Sequence, residues 1–593
     1  MPKSRLHRLL TPLLFWRLRH IDERAYLIIL SVLVGILAGL AAVVLKNSVH
    51  FSQELIFEWV PEQYTVFARS LYPIIGVSLS VLFTRWFLGG TLSRGIAPII
   101  YNVSRQSSIV PRSKLYSQVI TAFVTVTFGG SAGLEAPISV TGAAVGSNVA
   151  RLLRIGRRER RLLVGCGAAA GVAAIFNSPI AGVLFAVEAI LSELSAPFFI
   201  PLLISSATAT VVSKLLYAGQ PFVLITTSWP VEAIPFYLML GLFTALLSVF
   251  MIRVYFAADK FYEKFPGGIY RKVLFGGVVL GLLIFIFPPL YGEGYEIVQM
   301  LLGGQSEHLT DGSLFSVYQD YSVWLILLVA AGSMLFKVVA TTVTVGSGGN
   351  GGMFGSSLFA GAMAGFIYAR FINMSGMHPV PEVHFIVLGM AGVLAGVVAV
   401  PLTAIFLIAE ITGGYALFVP LMVVTSCSYL VTRYFEPYSV YTRKLVKQGV
   451  VMYQDRDRGL LAQLDLRNLL QTDFLPIHAE DTLGELVSAF RHATRNIFPV
   501  IDDDGHLLGL VTLDSVRDAL FDDEHYNSTH VRELMTEPLA IINATDSMLD
   551  TLHLMEEHDA WALPVVNKGR YVGFILKTSI LAGYRRQLLK EVD

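Results

Sequence analysis

The chain has 593 residues, of which 54% are hydrophobic and only 15% are charged, and its mean hydropathy is +0.61. Soluble proteins carry about a quarter charged residues, so this composition excludes an ordinary soluble enzyme and indicates a chain solvated largely by a lipid bilayer. Basic and acidic residues number 44 each, but residues 450–593 hold about 24 acidic and 13 basic residues, which leaves a basic remainder. Two segments of opposite charge in different solvents are therefore predicted.

Residues 1–25 form a basic N-terminal segment, and residues 26–45 contain no charge. About 20 apolar residues suffice for a helix that crosses a bilayer. Positive charge accumulates on the cytoplasmic side of such helices, so the N-terminus is predicted to be cytoplasmic, and so is the basic cluster at residues 151–161. Both clusters adjoin apolar segments, which argues against a nucleic-acid partner.

The apolar body contains an internal repeat. The segment at residues 177–188 recurs at residues 399–410, and in both copies a proline opens an apolar helix that ends nine residues later on a glutamate. The Gly-rich segments 129–137 and 346–356 recur with a similar offset. Two related halves with broken helices, about 26–215 and 235–449, predict a transporter or channel. Glycines that only allow close helix packing are the alternative interpretation.

Each Gly-rich segment leads into an apolar helix, which places a helix N-terminus inside the membrane. Free backbone N–H groups and the helix dipole favour an anion there without a full positive charge. Glu135 stands at one of these helix starts, where its carboxylate would compete with a bound anion until it is protonated. Glu135 is therefore the predicted gate, and a simple helix cap is the alternative.

Two motifs resemble those of a known family. The sequence GLEAP at residues 133–137 resembles the Gly-x-Glu-x-Pro signature of the CLC chloride channels and chloride/proton antiporters, and GGMFGS at residues 351–356 resembles their second pore signature. The resemblance spans residues 26–449. It implies a polytopic α-helical membrane fold with an inverted-topology repeat, a homodimer with one pore per subunit, and transport of chloride or another small monovalent anion.

The resemblance also assigns residues to the pore. It gives Glu135 the role of gating glutamate, and Tyr441 that of the pore tyrosine with Tyr438 as the alternative. The anion-binding residues that it implies are Gly133, Leu134, Ala136, Met353, Phe354, Tyr441, Ser93 and Arg94.

Two departures from the family pattern bear on mechanism. The inner-gate signature Gly-Ser-Gly-Ile-Pro is represented only by SRGIA at residues 93–97, so either Arg94 or Ser93 takes the serine position. Ala189 stands where the antiporters usually carry a proton-relaying glutamate, and alanine cannot carry a proton. This favours a channel, with an antiporter as the alternative if Glu188 or Glu193 substitutes for the missing glutamate.

The resemblance also implies a subunit interface, for which the apolar stripes at residues 180–187 and 402–408 are the candidates. Ordinary packing of these helices within one subunit is the alternative.

Residues 450–593 change to the pattern of a small cytoplasmic α/β domain that repeats after about 65 residues. The repeats, about 466–522 and 530–588, resemble a pair of CBS domains, which implies a regulatory or dimerisation module and allows an adenine nucleotide as ligand. The candidate ligand residues are Thr512, Asp514, Ser515 and Ser579, a weak match to the family pattern. A membrane receptor that signals through this tail is a further alternative. We find no enzyme or metal constellation in the sequence.

Overall fold

The computed structural model describes residues 20–61, 64–90, 94–105, 108–191, 196–217, 229–312, 323–376, 378–448, 461, 464–517, 519 and 526–592. Residues 1–19 of the basic N-terminal segment, Ser93 and Glu193 lie outside these ranges. The chain divides into two units, Met1–Val450 and Val451–Asp593.

The first half of the membrane unit is a run of helices, in which Asp22 caps the start of α1 by accepting a hydrogen bond from Arg24 N. The helices are α1 Glu23–Glu58, α2 Thr65–Phe87, α3 Ala97–Arg105, α4 Lys114–Thr127, α5 Glu135–Leu152, α6 Arg157–Phe176, α7 Pro179–Phe185 and α8 Ala196–Leu216. Helix α7 continues as a π-helical stretch, Ala186–Leu191.

The second half follows the same plan. Its helices are α9 Ile234–Lys264, α10 Ile269–Ile286, α11 Tyr295–Leu302, α12 Val323–Ser347, α13 Met353–Ser375, α14 Glu382–Val398, α15 Pro401–Ile411, α16 Phe418–Phe435 and α17 Arg443–Lys447. Short 3₁₀ turns lie at Val231–Ala233, Pro288–Leu290 and Ser306–Thr310. Among the described residues, eight helices are long and apolar enough to cross a membrane, so the unit is a multi-pass membrane domain.

The repeat is visible in the backbone of both halves. Helix α6 ends at Asn177 with φ 54° and helix α14 ends at Ala399 with φ 66°, each two residues before a proline that opens the next helix. The left-handed conformation of these residues turns the chain sharply.

Helix α5 packs on α6 where Gly142 meets Gly167, and a Cβ on either glycine would collide with the other's carbonyl oxygen.

Helices α7 and α15 pack against each other within the chain. Most of their apolar side chains are consequently buried in a single subunit, including Phe185, Leu407 and Ile408, whereas Leu402 is 48% exposed. The two stripes predicted for a subunit interface therefore contact each other within one subunit, and an interface with a second subunit at these helices stays a prediction.

The second unit contains two small sheets with the same topology. Their strands are β1 Ile477–His478, β2 Ile497–Ile501 and β3 Leu507–Thr512, then β4 Ile542–Asn543, β5 Ala562–Asn567 and β6 Arg570–Leu576. In each sheet the first pair is parallel and the second is antiparallel, with a bulge at Val500/Ile501 in one and at Val565/Val566 in the other. The matching bulges are the structural form of the sequence repeat.

Helices accompany both sheets, and apolar cores lie against them. The helices are α18 Leu483–His492, α19 Leu513–Val516, α20 Val531–Leu534, α21 Met548–Glu557 and α22 Lys577–Val592, preceded by a 3₁₀ turn at Leu466–Leu469. A capping box between Thr482 and Glu485 starts α18. The two repeats contact each other, since Gln471 and Phe574 exchange backbone hydrogen bonds of 2.8 and 2.9 Å.

Candidate anion site

Two helix starts meet inside the membrane unit. Gly133 precedes α5 and Gly352 precedes α13, and each donates its N–H to the other's carbonyl oxygen, at 3.1 and 3.0 Å. This antiparallel bridge holds the first turns of α5 and α13 side by side. The N-terminal N–H groups of a helix lack partners within the helix, so two sets of free donors are brought together.

Two threonines, each on the helix before one Gly-rich segment, accept a hydrogen bond from the Gly-rich segment of the other half. Thr344 of α12 accepts a hydrogen bond from Ser131 N at 3.1 Å, and Thr125 of α4 accepts one from Asn350 N at 3.0 Å. Each segment is thus tied to the helix that leads into the other. The geometry of both helix starts is therefore set by the two halves together.

Glu135 lies at the centre of the paired helix starts and is 1% exposed. Its Oε1 accepts a hydrogen bond from the hydroxyl of Tyr295, and the backbone N–H groups of Glu135 itself and of Gly355 face its carboxylate. Its Oε2 is buried and has no hydrogen-bond partner among the described residues. The carboxylate thus lies at backbone N–H groups of both helix starts, and N–H groups at a helix start favour a negative charge.

The neighbouring predicted residues surround the same point. Met353 and Phe354 are the first two residues of α13, and Leu134 and Ala136 flank Glu135, the first residue of α5. All four are buried, at 2% exposure or less. Their side chains are apolar, so backbone N–H groups supply the polarity of the site.

The two candidate tyrosines differ in burial. Tyr441 is buried, and its hydroxyl has no hydrogen-bond partner among the described residues, whereas Tyr438 is 44% exposed. A buried hydroxyl without a partner is costly and indicates that something else satisfies it. Tyr441 and Glu135 also lie close enough to interact electrostatically.

Arg94 precedes α3 and is partly buried. Its Nη1 donates a hydrogen bond of 2.7 Å to Val345 O, close to the second Gly-rich segment, and its Nε is buried without a described partner. Ser93, the other candidate for this position, lies outside the described residues. Of the two candidates for the serine position of the inner-gate signature, only Arg94 carries a charge.

Glu188 and Ala189 lie in the π-helical stretch that follows α7. Glu188 accepts hydrogen bonds from Leu402 N at 3.0 Å, Thr403 N at 2.8 Å and Thr403 Oγ1 at 2.6 Å. Glu410 does the same for the start of α7, accepting from Ile180 N and Ala181 N at 3.0 Å each. The repeated glutamates therefore cap each other's helix, and Ala189 is buried beside this cap.

Sequence reasoning did not identify a second group of charged residues beside Glu135. Glu293 Oε1 accepts a hydrogen bond of 2.9 Å from Leu134 N, and the fully buried Lys337 Nζ donates one of 2.9 Å to Gly292 O. Glu293 and Tyr295 line a cavity of about 390 Å³ that also contacts Lys46 and Leu134. Lys337 stands alone in the apolar sequence of α12, which is the signal that could have found it.

The tail residues predicted to bind a ligand form local contacts. Thr512 and Ser515 form a capping box at the start of α19, and Asp514 accepts a hydrogen bond of 2.6 Å from Arg517. Ser579 lies apart from them, accepts a hydrogen bond of 3.3 Å from Gln471, and lines a cavity of about 200 Å³. Pockets for drug-sized ligands are roughly 300–1,000 Å³, so this cavity is small for a nucleotide.

Comparison with known proteins places this geometry in a family. The family described as voltage gated chloride channel matches residues 75–433, which is more than half of the chain, and CBS domains match residues 466–522 and 531–585. The chain belongs to the voltage-gated chloride channel (CLC) family. Anion transport across a membrane is the activity of this family, and a CLC domain followed by two CBS domains is the architecture of the chain.

Individual proteins are similar over long stretches. A ClcB-like chloride channel protein of Ralstonia nicotianae is 28% identical over 64% of this chain and 86% of its own length. The solved structure of a slow cyanobacterial Cl⁻/H⁺ antiporter is 21% identical, with a TM-score of 0.60 over 73% of this chain and all of that one. A eukaryotic CLC transporter is 18% identical, with a TM-score of 0.61 over 93% of this chain and 97% of that one. These structures share the fold.

Proposed function

We propose that this CLC protein conducts chloride or a similar monovalent anion passively, with Glu135 as a protonatable gate. The observation that carries the proposal is the place of the Glu135 carboxylate, which faces backbone N–H groups of Glu135 and Gly355 at the two helix starts. An ionised carboxylate there competes with the transported anion. Protonation neutralises the carboxylate, so that an anion can replace it.

The anion position combines backbone N–H groups with apolar side chains. The first turns of α5 and α13 provide partial positive charge at Leu134, Ala136, Met353 and Phe354. A site of this kind binds an anion and still releases it, which conduction requires. The buried hydroxyl of Tyr441 is the proposed side-chain donor, because it lies near Glu135 and lacks a described partner.

Arg94 is proposed to act at the inner entrance. Arg94 lies within residues 93–97, which resemble the family's inner-gate signature, and a guanidinium there attracts anions from the cytoplasm. Its hydrogen bond to Val345 O holds it beside the second Gly-rich segment. The anion path thus runs from Arg94 past Tyr441 to Glu135.

The orientation proposed for the protein follows from α1. If the basic N-terminus is cytoplasmic, the second half of α1 lies toward the outside, because α1 has 36 residues and rises about 54 Å. Lys46 and His50 on that half line the cavity beside Glu135. Glu135 therefore faces the external solution through this cavity, and the tail is cytoplasmic.

Passive conduction is favoured over exchange with protons because Ala189 carries no titratable group and the neighbouring Glu188 is fully engaged as a helix cap. Proton-coupled antiport is the second candidate, and the contact of Tyr295 with Glu135 favours it, since a hydroxyl can pass a proton to a carboxylate.

A reversal-potential measurement on protein in planar bilayers distinguishes the two candidates. With a chloride gradient, passive conduction gives the chloride equilibrium potential, and an added pH gradient leaves that potential unchanged. A potential that moves with the pH gradient would establish antiport instead. No anion current in wild-type protein at acidic external pH would refute both.

We further propose that the tail stabilises a homodimer rather than sensing a nucleotide. The candidate ligand residues Thr512, Asp514 and Ser515 are engaged locally, and the cavity at Ser579 is small. Crosslinking of single cysteines introduced at the exposed Leu402 tests the dimer, the same crosslinking after removal of residues 451–593 tests the contribution of the tail, and thermal shift with ATP and AMP tests nucleotide binding. A monomer would refute the proposed homodimer. A rise in melting temperature with nucleotide would refute the proposal that the tail does not sense a nucleotide.

A further inference from the structure

The segment from Tyr291 to Tyr295 meets the start of α5 at two points. Glu293 accepts a hydrogen bond from Leu134 N, and Tyr295 donates one to Glu135. Gly294 between them has φ 90°, and a Cβ there would lie 2.5 Å from Phe359 Cδ2. A side chain at Gly294 is thus excluded both by conformation and by space, which allows its two neighbours to reach the same helix start.

Contacts of Gly292 and Tyr291 hold this segment in place. The buried Lys337 ammonium donates to Gly292 O at 2.9 Å and lies 4.7 Å from the centre of the Phe359 ring. The Tyr291 hydroxyl donates to Thr127 O at 3.2 Å. Because Tyr291 and Gly292 are fixed in this way, the Glu293 carboxylate is held at the Leu134 amide and does not move freely in the cavity.

This amide belongs to the anion position itself. Leu134 is the residue before α5, and its N–H is one of the donors that a helix start offers to an anion. Glu293 Oε1 occupies it at 2.9 Å, while the Glu135 carboxylate faces the N–H groups of Glu135 and Gly355. Two carboxylates therefore occupy neighbouring donors of one anion site.

We propose that Glu293 is a second carboxylate gate, in series with Glu135, which must be protonated or displaced before an anion takes the Leu134 amide. The proposal rests on the function proposed above and adds a second proton-accepting group to it. Because Glu293 lines the cavity, it exchanges protons with the solution on that side. An anion that enters from the cavity reaches the Leu134 amide only when this carboxylate gives it up.

The electrostatic surroundings of Glu293 involve several packed elements. The titratable and charged side chains around it are Lys46, His50 and Glu54 of α1, Arg69 of α2, Glu135 of α5, Tyr217 of α8, Tyr291, Tyr295 and Glu296 at the start of α11, and Lys337 of α12. Lys46 donates to Ile175 O at 3.1 Å and Lys337 to Gly292 O, so neither ammonium forms a described ion pair with Glu293 within 4.0 Å. The two ammonium groups stabilise the ionised Glu293 carboxylate by electrostatic attraction, without holding it in an ion pair.

The test uses full-length protein in liposomes and compares Glu135→Gln, Glu293→Gln, the double variant and Glu296→Gln. Glu296 is an exposed carboxylate that lines the same cavity, and the variant is the matched control. We expect chloride efflux from Glu293→Gln to exceed wild type by roughly two- to fivefold at neutral external pH. Glu135→Gln should keep a residual dependence on external pH, which the double variant loses, and the control should behave as wild type.

Two results would overturn the proposal: wild-type flux and pH dependence in Glu293→Gln, or complete loss of pH dependence in Glu135→Gln alone. Absence of flux in wild type would instead refute the proposed function. If the Glu293 variants do not fold, calorimetry of chloride binding to Glu135→Gln in buffers of different ionisation enthalpy decides. Proton uptake with chloride supports a second carboxylate, and binding without proton uptake overturns it.

Discussion

Gly133 and Gly352 donate their backbone N–H groups to each other's carbonyl oxygens, and this pair of hydrogen bonds joins the two halves of the repeat at the starts of α5 and α13. Residues separated by more than 200 positions thereby place two helix starts against one carboxylate, that of Glu135. The consequences of this contact can be measured.

Gly133→Ala should reduce anion flux strongly, because a Cβ there would lie 2.9 Å from Gly355 N and collide with the Glu135 side chain. Chloride efflux from liposomes measures the effect. Gly414→Ala is the control, since a Cβ at Gly414 has no atom within 4 Å in the described structure, and it should conduct as wild type. Equal flux in both variants would show that close approach at Gly133 is unnecessary.

Glu188→Gln should destabilise the membrane unit by about 1–3 kcal/mol, because a neutral amide replaces a carboxylate that accepts three hydrogen bonds from the start of α15. The measurement is thermal unfolding of the purified protein in detergent. Glu232→Gln, at an exposed site, is the control. Unchanged stability together with loss of proton movement would identify Glu188 as a proton relay instead of a cap.

Arg94→Gln should lower anion current by roughly two- to tenfold at low chloride and less at high chloride, because salt screens the attraction that the guanidinium provides. Current at several chloride concentrations checks this. Arg112→Gln, at an exposed position, removes the same charge elsewhere and should have little effect. An equal loss at all chloride concentrations would mean that Arg94 acts by holding Val345 rather than by attracting anions.

In the tail, backbone N–H groups of His506 and Asp504 donate to Asp502 at 2.7 and 3.0 Å. The hydrogen bond from His506 N, with the other donors, holds the pKa of Asp502 below its usual value. The folded pKa is depressed, so the stabilisation is present above the unfolded value of about 4 and is lost as the pH falls through the folded value.

Asp502→Asn should therefore lower the melting temperature of the tail at pH 6, and the difference from wild type should shrink toward pH 3. Differential scanning fluorimetry of the full-length protein measures both. Asp503→Asn, whose carboxylate is fully exposed, should show no such trend. A difference for Asp502→Asn that stays constant with pH would contradict this explanation.

The sequence was sufficient to predict the family, the broken helices and the position of Glu135, because a Gly-rich turn before an apolar helix has a local signature. The CBS repeats were predictable because their pattern of strands and turns recurs after about 65 residues. Contacts across the fold were not predictable: Glu293 lies about 158 residues from Glu135 and reaches α5 only through the fold. Likewise, the contact between α7 and α15 within one subunit could not be predicted from composition, because it joins helices more than 200 residues apart in the sequence.

Chloride efflux from liposomes that contain wild-type protein or Glu135→Gln, measured from pH 4.5 to pH 7.5, tests the gate most directly. We expect wild-type flux to rise steeply on acidification, since protonated Glu135 leaves the helix starts to the anion. The variant should conduct at pH 7.5 with most of this pH dependence removed. Identical pH profiles for the two proteins would contradict the assignment of Glu135 as the gate.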